Sequence, residues 1–137
     1  FISSKLNKNI IIHDDILSGR GISLLYEFFY EDILDPALIM NKVAEDKEFI
    51  GFFAKIFARA CKNFVLDTLS LGGVYIVGGV AIKNSFLVQN EIFIKSFSEC
   101  ATYSDLLKKI PIFLSTELEI GLIGVMEYAK NNIGMLK

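Results

Sequence analysis

The chain has 137 residues, 53% of them hydrophobic, which is enough for one continuous core in a single domain over residues 1–137 and argues against disorder. Fourteen basic residues against sixteen acidic ones give a formal charge of −2, with no Lys/Arg cluster dense enough to neutralise a row of phosphates, so a nucleic-acid partner is not expected. The most apolar stretch, Leu69 to Ile82, is interrupted by Gly72, Gly73, Gly78 and Gly79 and stops at Lys83, short of the ~20 residues a membrane-spanning helix needs.

A soluble protein with no membrane partner is therefore expected. The opening FISSKLNKN carries no basic region followed by an apolar segment and cleavage site, so no export signal is read there. Cys61 and Cys100 form no CxxC and no Cys/His cluster, which suits a reducing cytoplasm and leaves zinc and redox chemistry without support.

After the polar start, NIIIHDDILSGRG reads as a short apolar segment, an acidic pair and a turn, with Ser18 placed to cap a helix from about Gly19 to Ile33. Ile22, Leu25, Phe29 and Ile33 form its apolar spacing. Asp35-Pro36 marks a second helix start, Asp as cap and Pro in the first turn, and this helix is expected to end near Ala44.

The clearest periodicity follows. Phe49, Phe52, Phe53, Ile56, Phe57, Ala60, Cys61, Phe64 and Val65 keep the three-and-four spacing of a long helix with a broad buried face. Lys55, Arg59, Lys62 and Asp67 fall elsewhere and read as solvated positions. Cys61 reads as a small buried hydrophobe.

LGGVYIVGGVAI is an apolar, β-branched run between two Gly-Gly pairs, and predicts a fully buried strand at about Val74 to Val77. Gly78-Gly79 then turns the chain at the carboxyl end of that strand, where ligands bind in α/β sheets and where glycine lets a ligand approach the backbone. Tight turns or close helix packing explain the same glycines equally well. Asn84 to Asn90 reads as a helical turn, Tyr103 to Lys109 as a short helix, and Ile110 to Leu114 as a second buried strand. A final helix starts near Glu119, with Gly121 and Gly124 on one face for close packing. The order predicts an α/β lobe, helix-rich, with helices flanking a parallel or mixed sheet.

Chemistry-bearing groups are sparse. His13 beside Asp14 and Asp15 has the composition of a general base, but adjacent residues seldom face each other, and a surface turn accounts for all three. No nucleophile elbow, Walker phosphate loop or zinc-protease motif occurs in these residues.

Three blocks nonetheless form a pattern. DDILSGRGISLLYEFF is similar to the bacterial glucokinase pattern of an acidic residue followed by V-L-S-G-x-G-L-x-x-L-Y; LSLGGVYIVGGVAIKNSF resembles that family's G-G-V-[FY]-I-A-G-G-I strand and turn; and KKIPIFLSTELEIGLIGVMEYA resembles its D-I-P-V-Y-L strand, G-L-L-G and helix. They occur in the family's order and extend over nearly the whole chain.

The resemblance implies the larger, carboxy-terminal lobe of a ribonuclease-H-like, actin-like sugar kinase, with ATP and Mg²⁺ as cofactors and glucose as substrate at the entry to glycolysis. It implies a sugar-binding role for Asp14, where the family has Glu, and nucleotide-binding roles for Gly72, Gly73, Gly78 and Gly79. Leu69 stands where the family tends to have glycine, and Cys100-Ala101 where it often has Lys-Gly. The family's D-x-G-G-T phosphate loop, its catalytic Asp and its E-G-G-H segment do not occur in these residues, so no catalytic residue is assigned and the chain alone is expected to be inactive. Two alternatives stand beside a kinase part: a non-catalytic sugar- or nucleotide-binding regulatory module, and an oligomerisation domain in which the Phe-rich helix and the last helix form a homodimer face.

Overall fold

The computed structural model of the chain describes residues 1–133, and in them a helix-rich α/β arrangement is built beside a two-stranded parallel sheet. After a short helix in the polar start, α1 (Ile2–Leu6), the chain makes a single 3-10 turn at His13–Asp15. Helix α2 (Gly19–Tyr30) then begins where expected, with the Ser18 hydroxyl accepting the Gly21 N–H at 3.2 Å. It stops short of Ile33. Glu31 turns left-handed at φ 53°, and Asp32 takes the Ile33 N–H on its own carboxylate at 2.9 Å, which competes with helix continuation. The Ile33 side chain is left exposed. Helix α3 (Pro36–Val43) starts at the expected Asp35-Pro36, and Asp35 accepts the Ala37 N–H at 2.9 Å.

The long helix α4 (Lys47–Thr68) is capped by Asp46, which accepts from the Glu48 and Phe49 N–H groups, each at 2.9 Å. Its expected nine-residue apolar face divides in three by depth. Phe49, Phe53, Cys61 and Val65 are buried with Ala54 and Ala58; Ile56, Phe57 and Ala60 are half-buried; Phe52 and Phe64 are exposed. The cause is the width of the partner, since α4 packs chiefly on one helix, α6 (Glu91–Ser98), too narrow to cover the whole stripe.

That partner is absent from the sequence-based expectation. Asn90 caps it by accepting the Phe93 N–H at 2.9 Å, and Phe93 meets Phe57 edge-on at 6.0 Å. Lys62 is not the solvated charge expected, because its ammonium donates to the Ser96 and Glu99 carbonyls at 3.3 and 2.7 Å and so closes the end of α6. Cys61 is buried as expected, and burial pushes its thiol up to about 11.

Strands β1 (Val74–Ile76) and β2 (Ile112–Leu114) pair in parallel, Tyr75 opposite Phe113. The crossover between them carries α5 (Gly79–Lys83), a 3-10 turn at Ser85–Leu87, α6 and α7 (Ser104–Leu107). Neither strand is fully buried: Val74 and Ile76 face the core, while Tyr75 is 69% exposed and stacks on Phe113 at 4.9 Å. Phe113, its partner on that second face, is exposed as well. Helix α8 (Ile120–Asn132) begins beside Glu119 as expected, but none of its residues is buried, and the close packing expected of Gly121 and Gly124 is not made among the described residues.

Candidate functional site

At the carboxyl end of β1 the chain passes Val77 and enters Gly78 with φ 101°, a conformation that side-chain-bearing residues rarely adopt. Gly79 then opens α5, correcting the expectation of a simple turn. A Cβ at Gly79 would meet nothing within 4 Å, so its backbone is open to a ligand.

Across a depression of about 510 Å³, Gly79 and Val80 face Gly19 at the start of α2 and Pro36 and Ala37 at the start of α3. Three helix beginnings therefore border one space. First-turn N–H groups have no intrahelical partner, and the dipoles of α2 and α3 add partial positive charge at their amino ends. Ser18 and Asp35 occupy one N–H each, whereas α5 has no side-chain cap and its first amides find no partner among the described residues. Lys83, one helical turn beyond Gly79, brings a formal positive charge to the same lining, and Ile22, Met40 and Val80 make an apolar wall. Asn84 is also present, its amide engaged with the Val80 carbonyl at 2.9 Å. Open amides, a cation and an apolar wall are the surroundings suited to a ligand that is anionic at one end and apolar at the other.

Of the residues singled out in the sequence, Gly79 is brought to this depression, with Gly78 preceding it. Gly72 and Gly73 lie at the opposite end of β1. Gly73 has φ 131°, and a Cβ there would come within 3.0 Å of the Phe113 ring and 3.1 Å of the Pro111 carbonyl, so its glycine is explained by the entry of β1 beside β2. Asp14 is exposed on the 3-10 turn and does not line this depression. Its neighbour Asp15 pairs with Lys8 and accepts the Ile12 N–H at 3.1 Å, and the Lys8 bond holds its carboxyl below the usual carboxylate range. Lys83, Asn41 and Gly19 were not singled out as ligand-facing. The available signal was the spacing of Gly79 and Lys83, four apart on what proves to be a helix.

Among the described residues no group of three or more His, Cys, Asp or Glu side chains comes together as a metal site, and no helix is long and apolar enough to cross a membrane.

Comparison with known proteins gives this geometry a context. A profile of the glucokinase family matches residues 1–132. The glucokinase of Agrobacterium fabrum is 27% identical over 128 residues, covering 85% of this chain and 38% of its own length. That of Hahella chejuensis is 30% identical over 128 residues, covering 85% of this chain and 39% of its own length. A third, from Nostoc punctiforme, is 30% identical over 100 residues, 69% of this chain and 29% of its own length. The chain thus spans about two fifths or less of the length of the curated relatives it matches. No solved structure matches. A family match that runs through the acidic turn, the Gly-Gly strand and the final helix alike establishes that the chain belongs to the glucokinase family.

Proposed function

We propose that this chain is part of the carboxy-terminal, larger lobe of a ribonuclease-H-like glucokinase, whose full-length form in the cytoplasm transfers the γ-phosphoryl group of ATP to the 6-hydroxyl of D-glucose. The observation that carries this reading is the meeting of Gly79, Gly19 and Lys83 at one depression. In this reading the open amides of α5 and the Lys83 ammonium receive the anionic part of the nucleotide, and the apolar wall its base. Asp14 contacts sugar hydroxyls. Gly72 and Gly73 keep a nucleotide role on the family resemblance alone. Mg²⁺ accompanies ATP in this chemistry, neutralising phosphate charge, and no residue of this chain is assigned to it.

Kinetics of the full-length protein test the assignment. Gly79→Val is expected to raise KM for ATP more than KM for glucose, and Asp14→Ala to do the reverse. A folded Gly79→Val protein with both constants unchanged would refute the nucleotide side. If the full-length protein binds glucose without ever phosphorylating it, a regulatory module replaces the enzyme. The exposure of Phe64 and of α8 favours a second reading, a homodimer face, to be recognised by concentration-dependent mass without ligand binding.

A further inference from the structure

A second depression, of about 640 Å³, lies between the segment 11–16 and α4. It is lined by the apolar residues Ile11, Ile12, Ile16 and Ile56 and by the polar residues His13, Arg59 and Asn63. Each of those polar side chains carries N–H donors, and among the described residues no carboxylate lines the space. Arg59 enters no ion pair among the described residues. The positions one turn away from it on α4 are Lys55, Ile56, Lys62 and Asn63, so no acid on its own helix neutralises it. On the opposite wall, Asp15 is held by Lys8 and by the Ile12 N–H, and Asp14 is exposed outside the lining.

The turn that carries His13 is fixed. The Ile16 and Leu17 N–H groups close on the His13 carbonyl at 3.0 and 2.7 Å, and Gly21 packs directly on the Ile16 backbone. His13 is thus presented toward α4 by a locked element rather than a loose loop.

We infer that this depression binds a phosphate monoester with a partly apolar body. A single guanidinium fork satisfies a carboxylate by itself, whereas phosphate oxygens use several donors at once, as three N–H-bearing heads on two elements supply. The isoleucines cover the organic part, which inorganic phosphate lacks. This site is separate from the Gly79 depression, and the inference does not rest on the kinase reading.

The test follows the His13 ring resonance of the full-length protein by NMR, assigned by its disappearance in His13→Gln, during titration with phenyl phosphate and with inorganic phosphate. ADP is present throughout to fill the nucleotide site. Wild type is expected to show a saturable shift with phenyl phosphate, at least tenfold tighter than with inorganic phosphate. Arg59→Gln should weaken phenyl phosphate at least tenfold with its melting temperature unchanged. Should that variant unfold, Arg59→Lys, which keeps the charge and loses the fork, is expected to weaken binding at least threefold. No saturable shift in wild type, or equal affinity in wild type and the folded Arg59 variant, overturns the inference. Inorganic phosphate binding as tightly as the ester overturns the organic ligand. Turnover is not read, so a protein without kinase activity leaves the result standing.

Discussion

Leu69 ends α4 in the left-handed region at φ 50°, where the Cβ of an L residue crowds the backbone at a cost of roughly 1–2 kcal/mol. Its side chain is 68% exposed, so little burial offsets that strain. This is the position at which the resemblance led us to expect glycine, and the helix end gives the reason: the residue that closes α4 must turn left-handed. Leu69→Gly is expected to stabilise the chain by about 1 kcal/mol once the extra freedom of glycine in the unfolded state is counted. Gly21→Ala is the matched opposite. A Cβ there would collide with the Ile16 carbonyl and come within 2.6 Å of the Ile16 Cα, and forcing the two apart costs about 1–3 kcal/mol. Thermal melts of both variants read the two signs. A lower melting temperature for Leu69→Gly, or none for Gly21→Ala, would contradict this account of the backbone.

Among the elements, those with a chemical start signal were legible in the sequence. Ser18 and Asp35-Pro36 announce α2 and α3, and the 22-residue length of α4 gives its periodicity room to repeat. Helix α6 was not legible, because EIFIKSFS has only eight residues, about two turns, and opens on the unbroken apolar run Ile92-Phe93-Ile94, which leaves the helical period no room to repeat, although Asn90 stands ready as its cap. Helix α5 was hidden by the glycines that open it, read as a turn. The depression at Gly79 was half legible: the glycines marked one wall, while Gly19 and Pro36 reach it only through packing of α2 and α3.

The start of α4 also carries a pH dependence. The Tyr30 hydroxyl donates to Asp46, and that bond, followed by the Phe49 N–H, holds the Asp46 carboxyl below its usual value. A carboxyl whose folded pKa lies below its unfolded value of about 3.9 adds stability above that pH, and the contribution is lost as pH falls through the folded value. Asp46→Ala should therefore cost about 1 kcal/mol at pH 7, and the gap to wild type should narrow by pH 3. Urea unfolding at the two pH values decides, and an equal gap at both would show that the ionised cap is not what matters.

On the scale of the whole molecule, burial is unevenly distributed. The core runs through α2, α3, α4 and α6 to the inner face of the sheet, with Tyr26, Phe49, Phe53 and Phe93 nearly inaccessible to solvent. Helix α8 lies outside it, and its apolar residues are exposed on every side: Leu122, Ile123, Val125, Met126 and Tyr128. A helix of 13 residues with no buried side chain has only its own hydrogen bonds to hold it, which is marginal in water. The 137-residue chain expressed by itself should therefore respond to substitution in two distinct ways. Phe53→Ala, in a site with no solvent access, should cost about 3–5 kcal/mol, a large part of the stability of a domain of this size. Phe57→Ala should cost less, because Phe57 is half-buried and borders an open groove between α4 and β1. Leu122→Ala and Met126→Ala should stay within about 0.5 kcal/mol of wild type, as surface changes do. Amide hydrogens of 120–132 should exchange far faster than those of α4, since opening α8 exposes no core. Thermal melts of the four variants with hydrogen exchange on the parent chain give the comparison. A clear fall in melting temperature for Leu122→Ala, or slow exchange through α8, would show that this helix is packed against the core after all.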